Sequence, residues 1–247
     1  MPEPRSEFEQ GWQRRFDRFA ARNTSDSAIA GWSESGLALR FDFFRSLWRA
    51  SKAGLWLDAG CGAGTYSRFL TEQGQTVVGL DYAHQSLLRA RERSAGVSRW
   101  VCADITSLPL RRESFDGVIS YGVLQALSRS GPAVAELQSM LRPGGEIWID
   151  GLNAWSVFHP VHRLREALAG RALLVRYEKP GVIQRALREA GLEDIRIYYV
   201  PVAPAGLRRA AESGIVRWLV RLLPPLGALI CHAFVVRARK PVGIVGG

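Results

Sequence analysis

The sequence contains little cysteine and lacks any long, uninterrupted apolar segment. Its three cysteines, Cys61, Cys102 and Cys231, lie far apart and form no CxxC pair, so we expect no disulfide framework and no metal site. The absence of a run of 18 or more apolar residues argues against a membrane-spanning helix. The N-terminus lacks the apolar core of a signal peptide. Together these absences predict a cytoplasmic protein.

Lysine is also scarce, although the chain is strongly basic. Only three of its 33 basic residues are lysines, and the formal net charge is +10 at pH 7. A basic surface favours anionic partners such as nucleic acid, acidic lipid head groups or an acidic substrate. It is equally consistent with a solvated surface that only keeps the protein soluble. The charge by itself leaves these alternatives open.

Apolar residues recur with two different periods along the chain. Residues 1–50 carry apolar stripes at helical spacing, which predict helices that either pack on a core or cover a pocket as a lid. From residue 54 onwards, short apolar runs alternate with helical segments, and the last two runs fall at 194–202 and 231–240. This order predicts an α/β fold with a doubly wound, seven-stranded, mostly parallel sheet and helices on both faces.

We predict a single domain over residues 1–247. A cofactor-binding core, 54–150, follows the N-terminal helical cap, 1–50, and precedes a substrate-side half, 151–247. Within that half, residues 204–230 form an apolar, arginine-containing helical insertion before the last strand. This insertion has three interpretations: it packs on the sheet, walls an apolar substrate pocket, or contacts a membrane interface as an amphipathic element.

The first predicted strand ends in a glycine-rich loop, LDAGCGAGTY, residues Leu57–Tyr66. A glycine loop between a first strand and its helix is the ligand-binding end of a doubly wound sheet, where glycine allows close backbone approach. The loop alone fits dinucleotides, flavins and S-adenosylmethionine. Asp58 narrows this choice, because a carboxylate repels a pyrophosphate but attracts the ammonium group of S-adenosylmethionine.

Two further carboxylates stand at the ends of the next two predicted strands. Asp81 ends the second strand and suits paired ribose hydroxyls, which NAD and S-adenosylmethionine both carry. Asp104 follows the third strand, where it is suited to accept a hydrogen bond from an adenine amino group with Ile105 against the ring. The pattern therefore predicts an adenosine-containing ligand.

Five motifs stand in order over residues 54–150: LDAGCGAG, VVGLD, CADITSLPLRRESFDGVIS, the VLQAL segment and LRPGGEIWI. They resemble the class I S-adenosylmethionine-dependent methyltransferases of the small-molecule group. The resemblance implies a Rossmann-like fold with an antiparallel last strand and S-adenosylmethionine as the cofactor. It implies as cofactor-binding residues Asp58, Gly60, Cys61, Gly62, Asp81, Tyr82, Asp104, Ile105 and Ser120.

Methyl transfer from a sulfonium is an in-line displacement that mainly needs alignment and the exclusion of water. An alcohol or phenol acceptor also needs a base. Related proteins often carry a histidine after strand four, where this chain has Gln125 and Ala126. The catalytic candidates are therefore Tyr121, His159 and His162, with Asp150 and Asn153 as further options. For the two histidines, a surface or packing role is the alternative.

The apolar insertion and the basic charge favour a small-molecule acceptor that is lipid-, quinone- or glycolipid-like. They also favour peripheral contact with the inner face of the membrane through residues 204–230. One alternative is an RNA methyltransferase, but strand four is followed by SYGV instead of an Asn/Asp-Pro-Pro-aromatic motif. We therefore do not expect a nucleic acid partner. The other alternative is a non-catalytic protein that binds S-adenosylmethionine.

Overall fold

The structure is a computed structural model that describes residues 5–49, 52–94, 96–97, 99–172, 174–201, 218, 220 and 222–242. Its strands are β1 (Leu55–Ala59), β2 (Thr76–Asp81), β3 (Arg99–Cys102), β4 (Phe115–Ser120), β5 (Leu141–Leu152), β6 (Glu193–Val200) and β7 (Ala233–Arg239). They form one sheet in the order β3-β2-β1-β4-β5-β7-β6. Strands β1 to β5 pair in parallel, and β7 runs antiparallel to β5 and β6. The predicted seven-stranded sheet with its antiparallel last strand is confirmed.

Helices cover both faces of this sheet. They are α1 (Glu7–Arg22), α2 (Asp26–Ile29), α3 (Glu34–Leu47), α4 (Thr65–Glu72), α5 (His84–Arg93), α6 (Gly131–Ser139), α7 (Phe158–Leu168), α8 (Pro180–Glu189) and α9 (Pro224–Ile230). Successive strand residues point to opposite faces, so each face has a core of its own. Leu57 packs with residues of α6 and α8, whereas its neighbour Trp56 packs with residues of α3 and α4.

Serine residues begin the helices of the N-terminal cap. Ser6, Ser25 and Ser33 each precede a helix and accept a hydrogen bond from the backbone N–H three residues further on, at 3.1 to 3.3 Å. At α1 the side chain of Glu9 accepts a bond from the backbone N–H of Ser6, which completes a capping box. These caps satisfy backbone donors that a helix start leaves free. The predicted helical cap is confirmed within residues 5–49.

The insertion predicted at residues 204–230 lies for the most part outside the described residues, which omit 202–217, 219 and 221. Its described end contains α9. Pro224 and Pro225 occupy the first turn of α9, where the missing proline N–H has no helical partner to lose. Residues 218, 220 and 222 are helical and residue 223 is not, so a break in helical structure precedes the two prolines and α9 begins with them.

No helix within the described part of the chain is both long and apolar enough to cross a membrane. The division of residues 1–247 into cap, core and substrate-side half within one domain stays a prediction.

A buried ion pair joins the N-terminal cap to the sheet. Nε of Arg40 on α3 lies 3.0 Å from Oδ2 of Asp150 on β5, and the two side chains are 5% and 1% exposed. The guanidinium also donates to the Gly36 carbonyl at 3.2 Å and lies 4.4 Å from the ring centroid of Trp32. Asp150 accepts a second bond, at 2.6 Å, from the backbone N–H of Gly122. Both charges are therefore compensated inside the protein.

Replacing Arg40 with methionine, Arg40→Met, removes one partner of this pair and leaves a buried carboxylate uncompensated. Breaking such a pair costs about 3–5 kcal/mol, and we expect a loss of that size in the free energy of unfolding, measured by denaturant titration. The control is Arg45→Met on the same helix, where Arg45 is 59% exposed and pairs with Asp42. We expect the control to change stability by less than about 1 kcal/mol. Equal losses in both variants would contradict this account.

Candidate active site

A cavity opens at the carboxyl ends of β1 to β4, between the sheet and the N-terminal cap. It contains about 980 Å³ of empty space, counted to its open mouth. Most of the predicted site residues line it: Gly60, Cys61, Gly62, Asp81, Tyr82, Asp104, Ile105 and Tyr121. Parallel strands end at the same edge of a sheet, which brings together residues that are up to 61 positions apart in sequence.

The glycine loop after β1 forms the floor of the cavity. Gly60 and Gly62 have φ angles of +79° and +51°, a region that residues with a Cβ rarely adopt. A Cβ on Gly60 would lie 2.1 Å from Cγ2 of Val123, whereas a Cβ on Gly62 would meet no atom within 4 Å. Gly62 therefore borders free space, and a ligand can approach its backbone closely.

Asp81 is tied to the glycine loop by its own hydrogen bonds. One carboxylate oxygen accepts from the backbone N–H of Gly62 at 2.9 Å, and the other accepts from Ala83 at 2.8 Å. Burial raises the pKa of Asp81 to about 6, although these two bonds oppose the shift. Each oxygen has a further lone pair to offer, so the residue is suited to accept hydrogen bonds from ligand hydroxyls.

Asp58 lies beneath the loop and is not among the residues that line the cavity. Its carboxylate accepts a hydrogen bond from the Ser67 hydroxyl of α4 at 2.6 Å. Burial raises the pKa of Asp58 to about 7, and the nearby charge of Asp81 adds to the shift. Ser120 is also buried away from the lining. The expected contacts of these two residues with a cofactor stay predictions.

Asp104 stands at the far side of the cavity, where Arg5 of the cap pairs with it. Its other oxygen accepts bonds from the backbone N–H and the hydroxyl of Thr106, each at 2.8 Å. Burial favours a raised pKa, but the bonds from Thr106 and Arg5 outweigh it and lower the pKa of Asp104. This carboxylate is therefore ionised at neutral pH and able to accept a further bond.

Helix α1 covers the cavity. Arg5, Glu9 and Phe16 contribute to its lining. Glu9 accepts bonds from the backbone N–H and hydroxyl of Ser128 at 2.9 and 2.7 Å, while the ring of Phe16 packs edge-on against Tyr82. The first helix thus lines a pocket, as one of its two interpretations expects, and also buries Trp12 and Ala20, as the other expects.

Two tyrosines form the opposite end of the cavity from Asp104. The rings of Tyr66, at the start of α4, and Tyr121, after β4, have centroids 4.7 Å apart. Both residues line the cavity, and neither buried hydroxyl has a hydrogen-bond partner within the described structure. Burial raises the pKa of both well above the ordinary value, so both are protonated at neutral pH. Unpaired buried donors of this kind indicate a place for a ligand acceptor atom.

The two histidine candidates lie on α7 and do not line the cavity. The ring of His159 stacks on Tyr177 with centroids 4.2 Å apart, and Nδ1 of His162 lies 2.8 Å from the Tyr177 hydroxyl. Asp150 is paired with Arg40, and the Asn153 amide donates to two backbone carbonyls near α9. These contacts favour structural roles, and the role of either histidine as a base stays a prediction.

Sequence reasoning missed several residues that line the cavity. Tyr66 follows the glycine loop directly, so its position at the start of α4 was a usable signal. Trp32 and Arg5 come from the cap, and no local pattern indicated where their side chains would lie. Among the described residues, no group of three or more histidine, cysteine, aspartate or glutamate side chains is placed to hold a metal ion.

Comparison with known proteins finds a family model that matches part of the chain. Residues 57–149 match the family model "Methyltransferase domain". A malonyl-[acyl-carrier protein] O-methyltransferase of Enterobacter lignolyticus is 42% identical over 101 residues, which are 41% of this chain and 40% of that protein. A ubiquinone biosynthesis O-methyltransferase of Idiomarina loihiensis is 32% identical over 151 residues, 57% of this chain and 62% of that protein. The chain therefore spans less than two thirds of the length of each relative.

The fold has solved counterparts over nearly its whole length. An S-adenosylmethionine-dependent methyltransferase from Thermotoga maritima superposes with a TM-score of 0.59, covering 94% of this chain and 97% of that one at 16% sequence identity. At so low a sequence identity, this similarity shows a shared fold and nothing more. The chain therefore contains a matched methyltransferase domain over residues 57–149, which includes the glycine loop, on a fold that it shares with S-adenosylmethionine-dependent methyltransferases.

Proposed function

We propose that the chain transfers a methyl group from S-adenosylmethionine to an oxygen of a small phenolic or quinol-type acceptor. The observation that carries this proposal is one cavity with two chemically different ends. Asp81 and Asp104 form the carboxylate end, whereas Tyr66 and Tyr121 form the tyrosine end. Strands β3 and β4 are three positions apart in the sheet, or about 14 Å. The ends are therefore separated enough for a cofactor and an acceptor to lie side by side.

The carboxylate end fits the adenosine part of the cofactor. Asp81 would accept bonds from the ribose hydroxyls, and Asp104 would accept one from the adenine amino group beside Ile105. Cys61 and Tyr82 line the same region. The open space at Gly62 allows the cofactor to lie against the loop. In the structure Arg5 pairs with Asp104, so a bound adenine would either share Asp104 with Arg5 or displace Arg5 from it.

The tyrosine end carries no free charge. Arg40, the basic residue behind it, is neutralised by Asp150, and Arg5 is the only basic residue among the described residues that line the cavity. A carboxylate acceptor would need an unpaired cation here, because burying an uncompensated charge is costly. A neutral phenol needs only hydrogen-bond donors and an apolar wall, which the two hydroxyls and the Trp32 ring supply.

The relatives support oxygen as the methylated atom. Both relatives quoted above are named as O-methyltransferases. The match to the ubiquinone biosynthesis enzyme covers 57% of this chain, against 41% for the malonyl-[acyl-carrier protein] enzyme. The malonyl-[acyl-carrier protein] enzyme has the higher identity, 42% against 32%, so the preference for a quinol-type acceptor over a malonyl thioester rests on the uncharged tyrosine end.

The residues of the chain would act by positioning and by excluding water. Bound S-adenosylmethionine supplies a methyl group on a positively charged sulfur, which leaves as a neutral thioether when an oxygen lone pair of the acceptor forms the new C–O bond. Tyr66 and Tyr121 would donate hydrogen bonds to that oxygen and orient it as a neutral hydroxyl, whose proton passes to solvent through the open mouth of the cavity as the C–O bond forms. Helix α1 and the aromatic walls keep bulk water from the reacting atoms.

Substituting Gly62 with alanine, Gly62→Ala, should weaken S-adenosylmethionine binding about tenfold or more, equivalent to about 1.4 kcal/mol. The new methyl group would occupy the space next to the loop that the cofactor needs. Gly74→Ala is the matched control, since Gly74 also has a positive φ and open surroundings but does not line the cavity. Calorimetric titration measures both. Equal weakening by the two variants would assign the effect to backbone strain instead.

Cofactor affinity should fall as the pH drops through about 6. In the free protein burial raises the pKa of Asp81 to about 6, and ribose hydroxyls that donate to the carboxylate would lower it on binding. Binding is therefore strongest above pH 6 and weakens by up to about tenfold per pH unit below it. Asp81→Asn should bind weakly and without this dependence. A dependence centred near pH 7 that survives in Asp81→Asn would instead point to Asp58.

Removing either hydroxyl of the tyrosine end, in Tyr66→Phe or Tyr121→Phe, should lower kcat on a phenolic acceptor about 100- to 1000-fold, the usual cost of one lost hydrogen-bond donor to the reacting oxygen. Affinity for S-adenosylmethionine should be unchanged. Tyr177→Phe, which removes a hydroxyl outside the cavity, is the control and should keep the wild-type rate.

The acceptor is identified in the same assay with isotope-labelled S-adenosylmethionine and mass spectrometry. A catechol with an isoprenoid tail, a malonyl thioester and bulk tRNA are offered separately. Methylation of the catechol supports the proposal. Preferential methylation of the thioester or of tRNA would replace it with the corresponding alternative.

A further inference from the structure

Helix α7 is amphipathic with its apolar side turned to solvent. Val157, Val161, Leu164 and Leu168 are spaced by four, three and four residues, so they lie on one face, which we call the α7 stripe. Their side chains are 43%, 61%, 61% and 81% exposed. A surface helix of a globular protein normally turns such a stripe towards the core. Here the orientation is the reverse.

The opposite, polar side of α7 holds the helix against the protein. His159 stacks on Tyr177, and His162 lies within hydrogen-bond distance of the same residue's hydroxyl. Glu166, one turn further on, is paired with Arg171. Because the polar side makes these specific contacts, the exposure of the α7 stripe follows from how the helix is anchored. Rotating the stripe inwards would break both contacts with Tyr177, whereas the pairing of Glu166 with Arg171 is local to the end of the helix.

Further exposed apolar side chains lie next to the α7 stripe. The backbone N–H of Val157, just before α7, donates to the Leu229 carbonyl of α9 at 2.9 Å, which joins the start of α7 to the end of α9. Leu229 is 50% exposed, and Trp155 beside it is 48% exposed. A shallow groove is lined by Trp155, Leu229 and the prolines that begin α9. The apolar surface is therefore larger than one helix face, which is unusual for a surface that meets only water.

Basic side chains flank the α7 stripe. At about 100° per residue, Arg163 and Arg165 project on opposite sides of it, and both are exposed. Neither forms an ion pair with any acidic side chain that the structure describes. The whole chain carries a net charge of +10. An apolar stripe between arginines on a basic protein is complementary to a surface that is anionic outside and apolar just beneath.

We propose that helix α7 docks the protein on an anionic lipid bilayer, with the α7 stripe in the acyl boundary and Arg163 and Arg165 on lipid phosphates. The stripe is a convex row of leucine and valine, residues that are under-represented among the strongest contacts of protein–protein interfaces. Lipid-surface helices place such residues in the acyl boundary. Tryptophan side chains such as Trp155 favour the head-group level of a bilayer.

The docking helix stands near the active-site cavity. α7 begins six residues after the end of β5, at the sheet edge on which the cavity opens. Docking through α7 would therefore hold this edge close to the bilayer, where an acceptor with a lipid-like tail resides. The proposal stands independently of the acceptor's identity, because lipid binding is measured without methyl transfer. It moves the expected membrane contact from residues 204–230 to a helix that precedes them.

Vesicle flotation of the full chain tests the proposal. Vesicles of phosphatidylcholine alone and of phosphatidylcholine with phosphatidylglycerol separate the apolar from the electrostatic contribution. We expect the wild-type protein to float with the anionic vesicles and less with the neutral ones. Leu164→Glu/Leu168→Glu should reduce binding to both by at least about tenfold, whereas Arg163→Gln/Arg165→Gln should remove the preference for anionic vesicles.

The matched control is Leu88→Glu on α5, a leucine that is 40% exposed beside β2 and β3, far from α7. It should float like the wild type. Circular dichroism and cofactor calorimetry, unchanged in every variant, separate lost docking from lost folding or lost cofactor binding. Wild-type protein that does not float, or a stripe variant that floats normally, overturns the proposal. A dimer that Leu164→Glu/Leu168→Glu dissociates, without vesicle binding, would assign the stripe to a second copy of the chain.

Discussion

The buried ion pair between Arg40 and Asp150 connects the N-terminal cap to the sheet next to the tyrosine end of the cavity. Arg40 lies against Trp32, which lines the cavity, and Asp150 holds the backbone of Gly122, which follows Tyr121. One electrostatic contact therefore fixes both the cap and the turn that carries a candidate catalytic residue. It also removes free charge from this region. The uncharged character of the tyrosine end, on which the proposed acceptor class depends, is a consequence of that pairing.

The carboxylate end is built differently. Asp81 is held by the backbone of the glycine loop and of the turn after β2, and Asp104 is held by Thr106, two residues away. These contacts are local or join neighbouring strands, but Arg5 of the cap also pairs with Asp104. The cap therefore meets both ends of the cavity, through Arg5 at the cofactor end and through Arg40 at the acceptor end. The glycine loop and Asp81 are held by backbone bonds, which lets one sheet serve different acceptors with changes outside the glycine loop.

Most of the cofactor end could be predicted from the sequence, because its residues stand at strand ends and parallel strands end together. Predicted residues that do not line the cavity are explained by the direction in which their side chains point from the strand. Asp58 belongs to β1, and its side chain turns to Ser67 of α4 below the loop, so closeness in sequence to the glycines did not make it part of the lining. His159 and His162 lie outside the cavity for a different reason. Their spacing indicated a shared helical face, but it carried no information about what that face would meet.

The sequence by itself determined the seven-stranded sheet, the antiparallel last strand, the glycine loop and the carboxylates after β2 and β3. Each of these arises from a local pattern of hydrophobicity, turn residues and strand ends. Only the tertiary structure decided the pairing of Arg40 with Asp150, the meeting of Tyr66 with Tyr121 and the outward orientation of α7. Periodicity defines which residues share a face, but the direction of that face depends on contacts between residues that are distant in sequence.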